Sequence, residues 1–360
     1  LCRRCVRACA ELVGNHTLDL RQRGAHSMLC ADMDVPLGES TCINCGTCID
    51  VCPTGALVDK RSAFMARPTD VARVATICTQ CSLGCGLNVV MHRGQVLRLE
   101  SRWEAPVNGG LLCRRGRFEA LQDQRPRLLE PLIRENGRNA PASWNYALAE
   151  VARHLHHESP QQLGLIVSTR LTNEALALLH AIFVGELRAA HRGTTFADPP
   201  DLPFIACGKL TDIVGSDLIL IVEADPARNQ PVASFLIKRA VDQGARLVTV
   251  ESQPTELTTF AEASFLPRDL AIAVDLVQAA ARPVILCGAG LRKDDADQLR
   301  KSQPRARFIP LVPGVNTVTA AVLGLVDRID PPMKTVRWLR SPPESTVRRL
   351  SSSWRATPLR

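Results

Sequence analysis

The sequence is poor in aromatic residues and has no long apolar run. Aromatic residues make up 4% of the 360 positions and include one tyrosine, so the rings on which nucleic-acid bases stack are scarce. No uncharged apolar stretch approaches the roughly 20 residues of a membrane-spanning helix. These absences argue against nucleic-acid partners and against direct membrane insertion. A chain of this length is expected to fold into two or three domains.

Cysteine, in contrast, is abundant, and most of the 14 cysteines form short clusters within the first 113 positions. Because a long cysteine-poor region with strand and helix patterns follows, the clusters indicate metal ligation rather than the disulfides of a small secreted protein. The formal net charge of +8 counts every thiol as neutral. Thiolates bound to iron would restore much of the missing negative charge.

The stretch CINCGTCIDVCP has the spacing C-x2-C-x2-C-x3-C-P, with Cys42, Cys45, Cys48 and Cys52. This spacing is typical of paired [4Fe-4S] clusters, in which three cysteines of one loop bind one cluster and the fourth ligates the other. A lone zinc knuckle at this motif is the alternative.

The chain begins with LCRRCVRAC, which repeats the end of that motif at a constant offset of 43 positions. Crossed ligation predicts one complete cluster site, made of Cys9, Cys42, Cys45 and Cys48. The other site would use Cys2, Cys5, Cys52 and a cysteine upstream of Leu1. We therefore expect an N-terminally trimmed sequence with an incomplete first cluster. Cys30 matches neither motif and is expected to be a buried free thiol.

A third motif, C-x2-C-x3-C-x27-C, contains Cys78, Cys81, Cys85 and Cys113. Between its last two cysteines, LNVVMH and QVLRLE alternate apolar and polar residues around Arg93-Gly94, which predicts a β-hairpin. A hairpin returns the chain to its starting point, so Cys113 could complete a cluster begun by the other three. A four-cysteine zinc site could use the same residues.

These motifs, followed by RLLEPLIRENGRNAPASWNYALAEVARHL, resemble the molybdopterin oxidoreductase superfamily. More narrowly, they are similar to the α subunit of NAD-dependent formate dehydrogenases and to the large iron–sulfur subunit of NADH:quinone oxidoreductase, complex I. The resemblance covers most of residues 1–325. In these families a [2Fe-2S] ferredoxin domain usually precedes the first motif. The intact double motif favours the formate dehydrogenase branch.

From residue 162 onward the pattern changes to α/β. Apolar runs such as LILIVEA, RLVTVES and PVILCGAG alternate with helical patterns, which predicts a doubly wound parallel sheet that also includes LGLIVSTR. We expect an α+β ferredoxin-like 2[4Fe-4S] domain at 1–66 and a small β-rich [4Fe-4S] domain at 70–135. A degenerate α/β molybdopterin-oxidoreductase-like domain would follow at 143–328, and a basic Pro/Ser-rich tail at 329–360.

The resemblance implies three positions beside a pterin cofactor. Ala190, before His191 in RAAHRGT, stands where formate dehydrogenases have the cysteine or selenocysteine that ligates the metal. Pro313 in VPGVNTV replaces an arginine near the substrate. Arg115 in CRRG replaces the lysine between cluster and pterin and keeps its charge, so it is the candidate cofactor-binding residue.

The stretches that hold the nucleotide part of the cofactor also depart from the family pattern. A G-x-N-P pattern has Glu223 and Asp225 in VEADP, and a D-P-R pattern reads Glu251, Ser252 and Gln253. Carboxylates there oppose the binding of an anionic cofactor. We expect no molybdopterin and no catalytic residue in this chain. His191, Cys207 and Cys287 are expected to be ordinary packed or surface residues.

The resemblance therefore implies an iron–sulfur electron-transfer subunit of an NADH-linked oxidoreductase complex. Its partners would be a flavin-bearing NADH dehydrogenase subunit and further iron–sulfur subunits, in the cytoplasm or at the cytoplasmic face of the membrane. One alternative is a catalytic molybdenum or tungsten formate dehydrogenase. A second is a non-redox scaffold whose clusters are purely structural.

Overall fold

The computed structural model describes residues 2–122, 126–135, 137–194 and 208–325. These residues fall into two compact units. The larger contains residues 2–122 and 208–318, and the smaller contains residues 126–135, 137–194 and 319–325. Within these ranges, no helix has both the length and the apolar character needed to cross a bilayer.

The amino-terminal part of the larger unit consists of short elements around the cysteine motifs. They are α1 (Arg4–Arg7), continued by a π-helical turn over Ala8–Leu12, then β1 (Leu18–Arg21), β2 (Met28–Ala31) and α2 (Thr47–Asp50). β1 and β2 pair antiparallel, with Leu18 opposite Ala31. Gly46 precedes α2 with φ of 73°, a left-handed conformation that glycine adopts without steric cost.

A three-stranded antiparallel sheet follows, in the order β3-β4-β5. Its strands are β3 (Ala72–Ile77), β4 (Gly86–His92) and β5 (Gln95–Ser101). The predicted hairpin is confirmed, since β4 and β5 pair on either side of Arg93-Gly94. Both turn residues have positive φ, 48° and 79°, which is the geometry of a type I′ turn. The short helix α3 (Arg114–Arg117) begins directly after Cys113.

The described part of the smaller unit contains two strand pairs together with helices. Its elements are β6 (Leu132–Glu135), β7 (Arg138–Pro141), α4 (Trp144–His156), β8 (Gly164–Val167), α5 (Asn173–Leu179) and β9 (His191–Thr194). Thr172 caps α5 as predicted, because its hydroxyl accepts a hydrogen bond from the amide of Ala175 at 3.3 Å. The strand predicted at LGLIVSTR is β8. It pairs with β9 in a separate parallel sheet, so its predicted place in the large sheet is wrong.

The rest of the larger unit is a five-stranded parallel sheet, in the order β12-β11-β10-β13-β14. The strands are β10 (Leu218–Val222), β11 (Arg246–Val250), β12 (Ala263–Phe265), β13 (Pro283–Gly288) and β14 (Arg307–Leu311). The helices are α6 (Leu210–Val214), α7 (Pro226–Asn229), α8 (Pro231–Asp242), α9 (Leu270–Gln278), α10 (Lys293–Ser302) and α11 (Thr317–Val322), the last belonging to the smaller unit from residue 319 onward. Every residue of β10 is buried, as expected for a central strand covered on both faces.

Helix α8 joins the sheet to the amino-terminal part. Its apolar residues form one core cluster with Ile219 and Ile221 of β10 and with Val13 and the buried Cys85 of the cysteine region. A Cβ atom on Gly14 would lie 2.8 Å from Cβ of Lys238, so the loop after the first motif contacts α8 directly. The other face of the sheet packs against α9 and α10. The cysteine region and the sheet therefore share a core.

Candidate metal centres and the edge of the sheet

The first group of thiols brings the end of the first motif to the loop of the second. Burial raises the pKa of the Cys9 thiol, backbone hydrogen bonds from Leu18 and Thr17 oppose the rise, and repulsion from Cys45 and Cys42 adds to it. Burial also raises the pKa of Cys48 to about 12, with repulsion from Cys45, Cys42 and Cys9. These four are the cysteines that crossed ligation assigns to one cluster.

The second group joins Cys2 and Cys5 to Cys52. Burial raises the pKa of the Cys5 thiol, and repulsion from Cys2 and Cys52 contributes. The Cys52 sulfur instead accepts a hydrogen bond from the Leu57 amide, which lowers its pKa to about 7. Backbone amides directed at cysteine sulfur are a feature of iron–sulfur loops. Repulsion between Cys48 and Cys5 shows that the two groups are neighbours.

The third group is the most deeply buried and lies where the hairpin returns the chain. Burial raises the pKa of Cys78 to about 11, and Cys81 and Cys113 repel it. Burial raises the pKa of Cys85 as well, with repulsion from the other three thiols. The Cys78 amide donates to the Cys85 carbonyl at 2.8 Å, which closes the loop that carries the first three sulfurs.

Gly116 and Arg115 lie beside the third group. A Cβ atom on Gly116 would come within 3.2 Å of the Cys78 sulfur and 3.9 Å of the Cys113 sulfur, so glycine keeps space free next to both. Nη2 of Arg115 donates to the backbone carbonyls of Arg228 and Asn229, each at 2.8 Å. Arg115 thus connects the third motif to the carboxyl end of α7.

In the described part of the chain, no three or more His, Cys, Asp or Glu side chains are arranged to hold a metal ion. The four cysteines of a cubane cluster do not have to converge on one metal ion, since each of the four thiolates binds its own iron atom. Cys30 lies outside the three groups. It is half-buried rather than buried, and its thiol faces the Asp19 carbonyl at 3.5 Å.

At the sheet, the carboxyl ends of β10 and β13 form the edge where parallel α/β folds bind ligands, because the strand order reverses there. Glu223 follows β10 with φ of 48°, a conformation that favours glycine. Its Oε1 accepts a hydrogen bond from the Ser252 hydroxyl at 2.8 Å. A Cβ atom on Gly290 would lie 2.7 Å from its Oε2. The Glu223 carboxylate therefore lies at this edge, between residues that follow β11 and β13.

The neighbouring acidic residues have structural partners. Asp225 caps α7, since its Oδ1 accepts from the Arg228 amide at 3.1 Å. Glu251 is buried and accepts hydrogen bonds from the hydroxyls of Thr258 and Thr249 through Oε1, whereas its Oε2 has no hydrogen-bond partner. Both carboxylates lie within three residues of the carboxyl ends of β10 and β11.

The other family positions belong to both units. Pro313 lies two residues beyond β14, and its carbonyl accepts a hydrogen bond from the Thr317 hydroxyl. Ala190 and His191 belong to the smaller unit, where His191 is an exposed first residue of β9. Ser252 and Gln253 are exposed. Cys287 is completely buried, which raises its pKa to about 12. Cys207 and the predicted tail lie outside the described residues.

Family comparison agrees with the motifs. The 4Fe-4S dicluster domain matches residues 1–56, the molybdopterin oxidoreductase Fe4S4 domain matches residues 71–120, and the molybdopterin oxidoreductase domain matches residues 127–286. The chain belongs to the molybdopterin oxidoreductase superfamily. As a member of this superfamily it contains [4Fe-4S]-binding domains, and the resemblance drawn from the motifs is confirmed.

This superfamily member is similar to curated proteins with two kinds of name, NADH-quinone oxidoreductase subunit and formate dehydrogenase. An NADH-quinone oxidoreductase subunit of Rhizobium meliloti is 32% identical over 73% of the chain and 32% of its own length. NADH-quinone oxidoreductase subunit 3 of Thermus thermophilus is 31% identical over 67% and 30%. A putative formate dehydrogenase of Staphylococcus aureus (strain USA300) is 27% identical over 51% and 23%. The chain thus spans a third or less of each relative.

Proposed function

We propose that this chain is an iron–sulfur electron-transfer subunit of an NADH-linked oxidoreductase complex. The observation that carries the proposal is the grouping of eleven motif cysteines into three sets. When bound, [4Fe-4S] clusters supply reversible one-electron chemistry. The relatives named as NADH-quinone oxidoreductase subunits support an NADH-linked role.

The cysteine sets fit such clusters in donor type and surroundings. Cys9, Cys42, Cys45 and Cys48 would hold one cluster, and Cys78, Cys81, Cys85 and Cys113 another. Cys2, Cys5 and Cys52 would provide three ligands to a further cluster. Iron would overcome the raised pKa of the buried thiols, because metal coordination deprotonates them. Backbone amides and burial around the sulfurs would then tune the potentials.

A pterin-bound metal does not fit the residues present. The Glu223 carboxylate lies at the switch between β10 and β13, and a carboxylate there repels phosphate groups. Ala190 offers a methyl group where the family's metal ligand would stand. Arg115 remains the one family position with its charge kept, and Nη2 of its guanidinium donates to two backbone carbonyls. We therefore propose that the sheet is a scaffold and contains no substrate site.

The partners follow from this role. Electrons would be exchanged with a flavin-bearing NADH dehydrogenase subunit and with further iron–sulfur subunits, and placement in the cytoplasm stays a prediction from NADH-linked chemistry. The proposed domain bounds, 1–66, 70–135 and 143–328, also stay predictions.

The test is metal analysis and redox spectroscopy of protein purified without oxygen. We expect iron and acid-labile sulfide for at least two clusters per chain, negligible molybdenum and tungsten, and electron paramagnetic resonance (EPR) signals that appear with dithionite and vanish on reoxidation. Molybdenum or tungsten near one per chain would instead indicate a catalytic formate dehydrogenase. Clusters that dithionite cannot reduce would indicate a structural scaffold.

A further inference from the structure

A buried ion pair lies between the loop of the second motif and the helix that follows Cys113. Arg117 is 4% exposed and its partner Asp50 is 10% exposed. The pair is bidentate, with Nη1–Oδ1 and Nη2–Oδ2 distances of 2.9 and 2.6 Å. Asp50 belongs to α2, which carries Cys48, and Arg117 belongs to α3, which begins after Cys113. The pair therefore connects two cluster sites.

The remaining N–H groups of Arg117 are also used. Nε donates to the Cys45 carbonyl at 2.8 Å, Nη2 to the Ser101 hydroxyl at 2.7 Å, and Nη1 to the Leu99 carbonyl at 3.4 Å. A guanidinium has five N–H donors, and here each has an acceptor. One side chain thus joins the cysteine loop, strand β5 and helix α3.

Gly46 makes this contact possible. A Cβ atom at this position would lie 2.4 Å from Cδ and 2.6 Å from Nε of Arg117. The backbone of the loop between Cys45 and Cys48 therefore lies directly against the guanidinium. Because an apolar substitute for a buried ion pair is often at least as stable, stability alone does not account for a pair with this geometry.

We propose that Arg117 is a positioning residue that fixes the Cys42–Cys45–Cys48 loop relative to the Cys78–Cys81–Cys85–Cys113 site, and that the Arg117–Asp50 pair sets the potential of the cluster on that loop. This inference rests on the proposed electron-transfer function. Reduction adds negative charge to a cluster, so a nearby cation favours the reduced form and a nearby anion opposes it. The two charges of the pair act in opposite directions.

The experiment is a redox titration of the full chain followed by EPR. Asp50→Asn leaves the arginine charge uncompensated and is expected to raise the midpoint potential of the Cys9/Cys42/Cys45/Cys48 cluster. Arg117→Met leaves the carboxylate and is expected to lower that potential. The Arg117→Met substitution should also weaken the magnetic interaction between this cluster and the third cluster when both are reduced. In the Arg117→Lys variant that interaction should be stronger than in Arg117→Met.

Arg98→Met is the matched control. The Arg98–Glu100 pair, at 2.7 Å, lines the same cavity as Asp50 and Arg117 but is more exposed, so its loss is expected to leave the potential unchanged. Shifts of the same sign in Asp50→Asn and Arg117→Met, or no shift in either, would overturn the inference. If the Arg117→Met variant fails to bind iron, the inference is still tested by the potential of the Asp50→Asn variant and by the magnetic interaction in the Arg117→Lys variant. Wild-type clusters that cannot be reduced would refute the proposed function itself.

Discussion

The cysteine loops and the carboxyl edge of the large sheet differ in what occupies the space beside the backbone. At the loops, glycine leaves space: Gly116 adjoins two sulfurs of the third group, and Gly46 lets Arg117 reach the loop backbone. At the sheet edge, Glu223 adopts a left-handed conformation that favours glycine, and its carboxylate accepts a hydrogen bond from Ser252. The comparison teaches that a ligand site is kept or closed by what occupies the space beside the backbone.

The sharpest test of the cysteine side is Cys81→Ser. A serine oxygen is a poor ligand for an iron–sulfur cluster, so we expect complete loss of the EPR signal of the third cluster. The signal from the Cys9, Cys42, Cys45 and Cys48 cluster should remain. Cys30→Ser, at a half-buried thiol outside the three groups, should preserve both signals. Loss of both signals in Cys81→Ser would contradict separate sites.

The sheet side is tested by Glu223→Gly. Glycine relieves the left-handed strain, about 1–2 kcal/mol, which roughly offsets the lost hydrogen bond to Ser252, about 1 kcal/mol. The free energy of unfolding should therefore change little. Removal of the carboxylate should raise the affinity for a nucleoside diphosphate about fivefold or more, since a nearby charge is worth about 1 kcal/mol even at high dielectric.

Isothermal titration calorimetry would measure this affinity, with Glu262→Gly as the control. Glu262 is half-exposed and pairs with Arg246, so its substitution removes the same charge elsewhere on the protein. Equal affinities in the two variants would show that Glu223 does not close the crevice.

The smallest effect is expected for Gly116→Ala. Alanine is the better helix former by about 1 kcal/mol, so the iron-free chain should be no less stable in denaturant. The added methyl group would crowd the Cys78 sulfur at 3.2 Å and should alter the line shape or lower the occupancy of the third cluster. Gly38→Ala, where no atom lies within 4 Å of the added carbon, should change neither. An unchanged third cluster in Gly116→Ala would show that the site tolerates the methyl group.

Local patterns predicted much of this fold, because they depend on few residues. The Arg93-Gly94 turn, the Thr172 cap and the apolar runs of the parallel sheet each follow from short stretches. The offset between the motifs likewise predicts a shared site for Cys9, Cys42, Cys45 and Cys48, and this assignment stays a prediction. Strand pairing was harder: LGLIVSTR reads as a strand, yet nothing in its alternation identifies β9 as its partner.

The contacts of individual side chains could not be predicted from the sequence. In CRRGR, Arg114 is exposed and pairs with Glu119, Arg115 reaches two backbone carbonyls, and Arg117 is buried against Asp50. The three arginines are equivalent in the sequence. Their roles differ because each leaves the short helix in a different direction and meets a different distant segment. Similarly, Glu223 was predicted to oppose phosphate, but the position of its carboxylate depends on Ser252 and Gly290, which follow β11 and β13.

Helix α8 has one further consequence. Its apolar residues are enclosed between the sheet and the cysteine region. Deletion of either the sheet or the cysteine region would therefore expose a large hydrophobic surface of α8 to water. Even without any reaction at the strand ends, loss of the strands would destabilise the protein, because they cover the helix against which the cysteine region packs.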